Sequence, residues 1–378
     1  MSAPLAIYVH WPYCARICPY CDFNVYRQRA QDPEALIDAI IADAQGHAAR
    51  LGPRTATSVF LGGGTPSLLR APQIARLLSA LGRVFAFAAD AEISLEANPE
   101  DRAGFADAVA AGVNRLSLGV QALRDADLQA LGRAHDAAAA RAAVAAAAAT
   151  GARVSMDLIY ARSGQSAADW RLELQDALAL PVEHYSLYQL TIEPGTPFDR
   201  AVRRGRIAPP PTNDAATLFE ITRALCAEAG VPAYEVSNHA RTAQAQSRHN
   251  CAYWLGADWL GLGPGAHGRI ALDGVRTATL ASRTPADYIA SVAAKGVGWA
   301  QLEPLSAEDA ANERLMMGLR LSAGLDPAPI EALRGRPLNA ELIATLRAEG
   351  LLEPGPVLRI TPAGRLLTDR IAQDLCLA

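Results

Sequence analysis

From Leu5 to about Tyr234 the chain alternates short β-branched or aromatic runs with longer amphipathic segments, and this alternation constrains the fold more than any other feature of the sequence. It is the pattern of βα units wound around a parallel sheet, an α/β architecture. Strands are predicted at Ala6–Val9, Ser58–Leu61, Glu92–Glu96, Arg115–Leu118, Arg153–Leu158 and His184–Gln189. Helices are predicted between them, at about Pro33–Leu51, Pro72–Phe85, Arg102–Ala111, Ala137–Thr150 and Ala167–Ala179, several ending near glycine. Six such strands imply a partial (β/α)6 barrel rather than the complete eight, with the site built by loops at the carboxyl ends of the strands.

The alanine-rich segment Ala137–Thr150 reads as a packed barrel helix, because alanine has the highest helix propensity. Pro209–Pro211 is a stiff spacer before a further helix, Asp214–Ala229. From about Glu235 to Trp299 the sequence turns irregular, Gly- and aromatic-rich; beyond it, helices and two short strands turning at Pro354–Pro356 suggest a small winged-helix-like module. Three domains are therefore expected: a barrel over 1–234, a connecting region over 235–300 and a C-terminal helical domain over 301–378.

A net charge of −4 over 378 residues gives no basic footprint for nucleic acid, and none is expected as a partner. The N-terminus lacks the basic and apolar regions of a signal peptide, and no strongly apolar run is long enough to span a bilayer. A cytoplasmic location is expected, where thiols stay reduced and clustered cysteines bind metal more often than they form disulfides.

Cys14, Cys18 and Cys21 form such a cluster, with spacing C-x3-C-x2-C. Three thiolates are one short of closing a metal site. A cubane iron–sulfur cluster held by three of them leaves one iron open to an exogenous ligand. Zinc is the rival reading, with His10 as a fourth ligand, although the other cysteines, Cys226, Cys251 and Cys376, are scattered singly.

Gly62-Gly-Gly-Thr-Pro-Ser67 follows a predicted strand, where side-chain-free backbone can come close to a small ligand or simply make a tight turn. No Gly-Lys-Ser/Thr follows, and the third glycine and downstream acid of a dinucleotide fingerprint are missing. Glu96, Gln121 and Asp157 stand at or just beyond successive strand ends, with Arg133 twelve residues past Gln121. Taken singly, each reads as a surface group or cap; their recurrence at one end of the sheet favours a site.

The cysteine spacing, with Tyr20 before the third cysteine, resembles the motif of the radical S-adenosylmethionine (SAM) superfamily. That resemblance implies a [4Fe–4S] cluster on Cys14, Cys18 and Cys21, with SAM on the open iron. Tyr8-Val-His10, the glycine run, Glu96-Ala-Asn-Pro, Leu118-Gly-Val-Gln121, Leu131-Gly-Arg133-Ala-His135 and Asp157-Leu-Ile-Tyr160 narrow the resemblance to the oxygen-independent coproporphyrinogen III dehydrogenases and their relatives. It implies a SAM pocket lined by Tyr8, Gly63, Gly64, Thr65, Glu96, Gln121, Arg133 and Asp157, with Tyr20 beside the cluster. After Tyr160 this chain reads Ala-Arg-Ser-Gly-Gln165 where the family tends to have Gly-Leu-Pro-Gly-Gln.

The dehydrogenases carry another cysteine two residues after the third, where this chain has Phe23, and an N-terminal extension that is not expected here, with the cluster motif beginning at Cys14. Arg248-His-Asn-Cys-Ala-Tyr-Trp254 resembles instead the H-N-x-x-Y-W signature of HemW-type heme chaperones, as do Tyr234-Glu-Val-Ser-Asn238, Leu190–Thr196, Gly261-Leu-Gly-Pro-Gly-Ala-His267 and Leu315–Leu319. This implies heme as a further cofactor, with His249 as its ligand, Tyr253 and Trp254 offering flat apolar surface and Arg248 pairing with a propionate. The bland reading of His249 is a packed, hydrogen-bonded core residue. His267 is a second histidine candidate. Client hemoproteins are the implied partners, with membrane contact only through them; a homodimer stays open. The alternative is a radical-SAM oxidoreductase acting on coproporphyrinogen III.

Overall fold

The computed structural model describes residues 4–28 and 33–377. Six parallel strands follow one another in chain order: β1 (Pro4–Trp11), β2 (Thr55–Gly63), β3 (Ala86–Ala97), β4 (Arg115–Gln121), β5 (Arg153–Tyr160) and β6 (His184–Gln189). Each contains the strand expected from the sequence. Helices Pro33–Leu51, Ala71–Val84, Ala137–Ala149 and Ala167–Leu178 lie on crossovers between them. The expected helix over 102–111 divides at Gly104 into a 3-10 turn, Pro99–Gly104, and a short helix, Phe105–Ala110, as a poor helix former would make it do.

The stretch expected to be irregular carries five more strands. β7 (Asn238–Ala240) pairs antiparallel with β6, while β8 (Trp259–Leu262) lies parallel to β1 on its other side. β9 (His267–Leu272), β10 (Val275–Ala281) and β11 (Trp299–Pro304) then extend the sheet antiparallel. The order is β11-β10-β9-β8-β1-β2-β3-β4-β5-β6-β7, so the parallel set has a seventh member and β1 is interior. Four-residue strands containing glycine, such as Trp259-Leu-Gly-Leu262, carry little intrinsic strand signal. Their order comes from pairing with distant β1.

Strand alternation sorts the barrel into two chemistries. Leu5, Ile7, Val9, Leu116, Leu118, Val120, Val154, Met156 and Leu158 join the main core, with helix residues Ile37, Ile40, Leu77, Leu81, Val144 and Trp170. The alternate positions turn inward and are mostly polar: Tyr8, Glu96, Arg115, Ser117, Ser155, Asp157, His184 and Ser186 line an interior chamber. A complete (β/α)8 barrel fills that space with branched apolar side chains. Here it is left for chemistry.

Beyond residue 306 the chain is mostly helical, with helices Ala307–Gly318, Ala328–Arg334, Ala340–Ala348 and Thr368–Leu377 around a separate core of Leu315, Leu319, Ile330, Leu346, Leu358, Ile371 and Leu375. The two strands expected around Pro354–Pro356 are reduced to isolated bridges, Leu325–Leu358 and Leu352–Ile360. Glu313 fastens this region to the sheet through Arg269, at 2.6 Å, and Arg276, at 3.0 Å. No helix among the described residues is long and apolar enough to cross a membrane.

Candidate functional site

The chain leaving β1 forms a two-residue pairing of Tyr13–Cys14 with Tyr26–Arg27, which brackets the cysteine loop. Within the loop the Cys21 amide donates to the Cys18 carbonyl at 3.2 Å, closing a turn. Cys14, Cys18 and Cys21 form part of the wall of a cavity of about 410 Å³ beyond the carboxyl ends of the barrel strands. Tyr20, Gly63, Gly64, Thr65, Glu96, Gln121, Arg133 and Asp157 line the same cavity. Residues spread over 144 positions of sequence thus meet as the resemblance implied, with one exception on the SAM list, Tyr8.

Nowhere among the described residues do three cysteine, histidine or acidic side chains converge on a single ion. His10, the fourth zinc ligand considered, is engaged elsewhere: its Nδ1 pairs with the Tyr8 hydroxyl at 2.9 Å and its Nε2 with the Asn24 carbonyl at 2.9 Å. The donor set suits a cubane, which holds its thiolates farther apart than one tetrahedral ion does. Burial raises the Cys14 thiol and pushes Cys21 up to about 11, so loading a cluster onto these groups releases protons.

The glycine run is required by close approach to the protein itself. A Cβ on Gly63, whose φ is +104°, would lie 2.5 Å from the His10 ring, and one on Gly64 would lie 2.7 Å from the Tyr13 carbonyl oxygen. The amides of Gly64 and Thr65 donate to the carbonyls of Trp11 and Tyr13 at 2.7 and 2.9 Å. The Gly63 amide donates to Glu96 Oε2 at 2.9 Å. The run therefore welds the end of β2 to the base of the cysteine loop and orients Glu96.

Arg133 ties the loop to the opposite wall. One guanidinium nitrogen lies 3.3 Å from Cys18 Sγ; the other donates to Asn98 Oδ1 at 2.5 Å and to the Gly119 carbonyl at 2.9 Å. Gln121 enters the cavity from a bulge between β4 and β5, with a φ of +68° that a side-chain-bearing residue seldom adopts. Burial, then the charge of Asp157, raises the Glu96 carboxyl to about 7; burial raises Asp157 to about 6. Two enclosed carboxyls with so little cationic compensation favour a ligand bearing positive charge or hydroxyl donors.

Tyr8 and His249 meet in the chamber beneath, which shares Glu96, Ser117, Asp157 and Tyr188 with that cavity. His249 was expected as a heme ligand, but the structure buries it at 2 % exposure, stacked on Phe60 with ring centroids 5.0 Å apart. Its Nδ1 pairs with Ser58 Oγ at 3.1 Å and its Nε2 with the Tyr253 hydroxyl, so neither nitrogen is free for iron. Burial depresses its pKa to about 3. Arg248, expected at a propionate, instead pairs with Asp90 at 2.8 Å.

The helix carrying His249, Arg248–Trp254, closes the amino end of the barrel. Arg115, paired with Glu92 at 3.1 Å, donates to the Ala245 carbonyl at 2.9 Å, and Glu92 accepts from the His249 amide at 3.4 Å. Asn24, Asn98, Ser117 and the inward Arg115–Glu92 pair were not singled out in the sequence. Asn98 lies inside the quoted Glu96-Ala-Asn-Pro run, but its role depends on Arg133, which only the fold brings near.

The fold and site together define a radical SAM protein: the superfamily's sequence model matches residues 8–177, and the HemN C-terminal domain model matches residues 305–367. The chain is 38% identical over 379 aligned residues to the heme chaperone HemW of Mycobacterium tuberculosis, covering 98% of this chain and 95% of that protein. It is 41% identical over 331 residues to the mitochondrial radical S-adenosyl methionine domain-containing protein 1 of Bos taurus, covering 86% and 75%. Among solved structures it resembles the coproporphyrinogen III oxidase HemN of Escherichia coli, a radical SAM enzyme, with TM-score 0.81 and 26% identity over 99% of this chain and 90% of that one. Within the superfamily the chain belongs to the HemW family.

Proposed function

We propose that this protein carries a [4Fe–4S] cluster on Cys14, Cys18 and Cys21, binds SAM in the adjoining cavity, and delivers heme to client hemoproteins in the cytoplasm. The observation that carries the heme half is the near full-length likeness to a heme chaperone, joined to Phe23 where the dehydrogenases have a further cysteine. When bound, a reduced cluster of this type supplies an electron to the SAM sulfonium. The chain's own residues bind and orient: Glu96 and Asp157 accept from the ammonium and hydroxyl groups of SAM, while Arg133 holds the cysteine loop against Asn98 and Gly119.

Anaerobic reconstitution tests both halves. Cys14→Ser, Cys18→Ser and Cys21→Ser are each expected to lose the [4Fe–4S] absorption and SAM binding, while the wild type binds heme and passes it to an apo-hemoprotein. Full cluster spectra in the three variants would overturn the ligand set. Conversion of coproporphyrinogen III in the presence of SAM and a reductant would replace the chaperone reading with the oxidoreductase one.

A further inference from the structure

On the far side of β1 from the SAM cavity, an open groove of about 660 Å³ runs between the cysteine loop and strands β8–β10. Its size is that of a cofactor pocket. Tyr253 and Trp259 form its wall, edge to face with ring centroids 4.7 Å apart, and Leu280 lines it too. Phe23, 61% exposed, stands on the lip it shares with the SAM cavity. At the rim are two exposed groups, His267 and Arg283.

His267 differs from His249 in every respect that matters to a metal. It is exposed, and neither ring nitrogen has a hydrogen-bond partner among the described residues, whereas both nitrogens of His249 are engaged. Arg283 makes no ion pair among the described residues, and its backbone is fixed because its carbonyl accepts from Asn24 Nδ2 at 2.8 Å. An unpartnered imidazole, flat aromatic walls and an unpaired guanidinium match three features of a metalloporphyrin: its iron, its ring and its carboxylates. Among the described residues lining the groove, Asp22 is the one opposing charge.

We infer that this groove is the heme site, with His267 as the axial ligand to iron and Arg283 on a propionate. The inference rests on the heme-handling function proposed above and says where that function resides. Tyr253 then gives the H-N-x-x-Y-W segment its part in heme contact: His249 anchors the Tyr253 hydroxyl from behind, and the Tyr253 ring faces the groove. Partial burial, then the neighbouring charges of Arg269 and Arg283, lowers the pKa of His267.

The glycines of Gly261-Leu-Gly-Pro-Gly-Ala-His267 have a reason here. A Cβ on Gly263 would lie 2.3 Å from the His10 carbonyl oxygen, and one on Gly265 would lie 2.5 Å from Asn24 Nδ2. The glycines let the turn leading to His267 press against the cysteine loop, so groove and cysteine loop share a wall.

The test is hemin titration of the full chain, read by the Soret band and by low-temperature EPR, for wild type, His267→Ala, Arg283→Glu and His249→Gln. His267→Ala is expected to weaken binding about tenfold or more, equivalent to about 1.4 kcal/mol, to change the iron's spin state, and to be rescued by added imidazole. Arg283→Glu is expected to weaken binding several-fold with the spectrum unchanged, and His249→Gln to keep the histidine-ligated spectrum. His267 is exposed and unbonded, so a matching thermal melt separates ligand loss from misfolding. Wild-type spectrum and affinity in His267→Ala, with the wild type binding heme, would overturn the site and leave the chaperone function standing. Failure of the wild type to bind hemin would overturn both.

Discussion

His239 and His249 are buried with pKa values near 4 and 3, against an ordinary value of 6.5. Both are therefore neutral in the fold across the physiological range. Above about pH 6.5 they are neutral in the unfolded chain as well, and the stability they allow is fully present. As pH falls below that value the unfolded state takes up protons the folded state refuses, and stability declines by up to about 1.4 kcal/mol per pH unit for each histidine. Urea melts between about pH 7.5 and pH 5 should show this loss, and His239→Gln should make the decline shallower. At this scale the sequence was legible in part. The three cysteines stood out by their own spacing and Glu96, Gln121 and Asp157 by their place at strand ends, and the fold brings them to one cavity with Arg133. The setting of Tyr8 and His249 was not legible, because their partners, His10, Ser58 and Tyr253, become neighbours only through strand pairing and the docking of a distant helix.

Among elements, the helix Arg248–Trp254 depends on a pair that lies outside it. Arg115 and Glu92 are 2 % and 4 % exposed, and between them they hold the segment from Ala245 to His249 against the barrel. Removing one partner strands the other charge in the interior, so Glu92→Gln is expected to cost about 3–5 kcal/mol. Hydrogen exchange should place the added opening first in residues 243–254. The six barrel strands were legible as short β-branched or aromatic runs set between longer amphipathic segments. β7 and β8 were not, since strands of three and four residues carry no local periodicity and take their order from pairing with distant β6 and β1.

In the whole molecule, the C-terminal helical region is held to the extended sheet by few polar links, and Glu313 accepts from two of the arginines that make them. Arg269 and Arg276 also stack over Trp259, at 5.6 and 5.5 Å from its ring centre. Glu313→Ala is expected to cost about 1–3 kcal/mol by unpairing Arg269 and leaving Arg276 with Asp258 alone, at 3.5 Å, and to speed hydrogen exchange at the Ser322 amide, which donates to the Tyr234 carbonyl at 2.8 Å. Unchanged exchange there would show that the apolar contacts alone hold the two regions together.

Asn24 belongs to the cysteine loop, yet its side-chain amide donates to the carbonyls of Pro264, at 2.9 Å, and Arg283, at 2.8 Å. Those acceptors emerge from the ribosome long after the cysteines do. β1 is made first, but its second neighbour, β8, comes only after six strands have been laid down on the other side. The loop thus gains its last anchors once synthesis has passed residue 283. On a shorter nascent chain the loop has no far wall, so its anchoring is complete only after translation of the barrel.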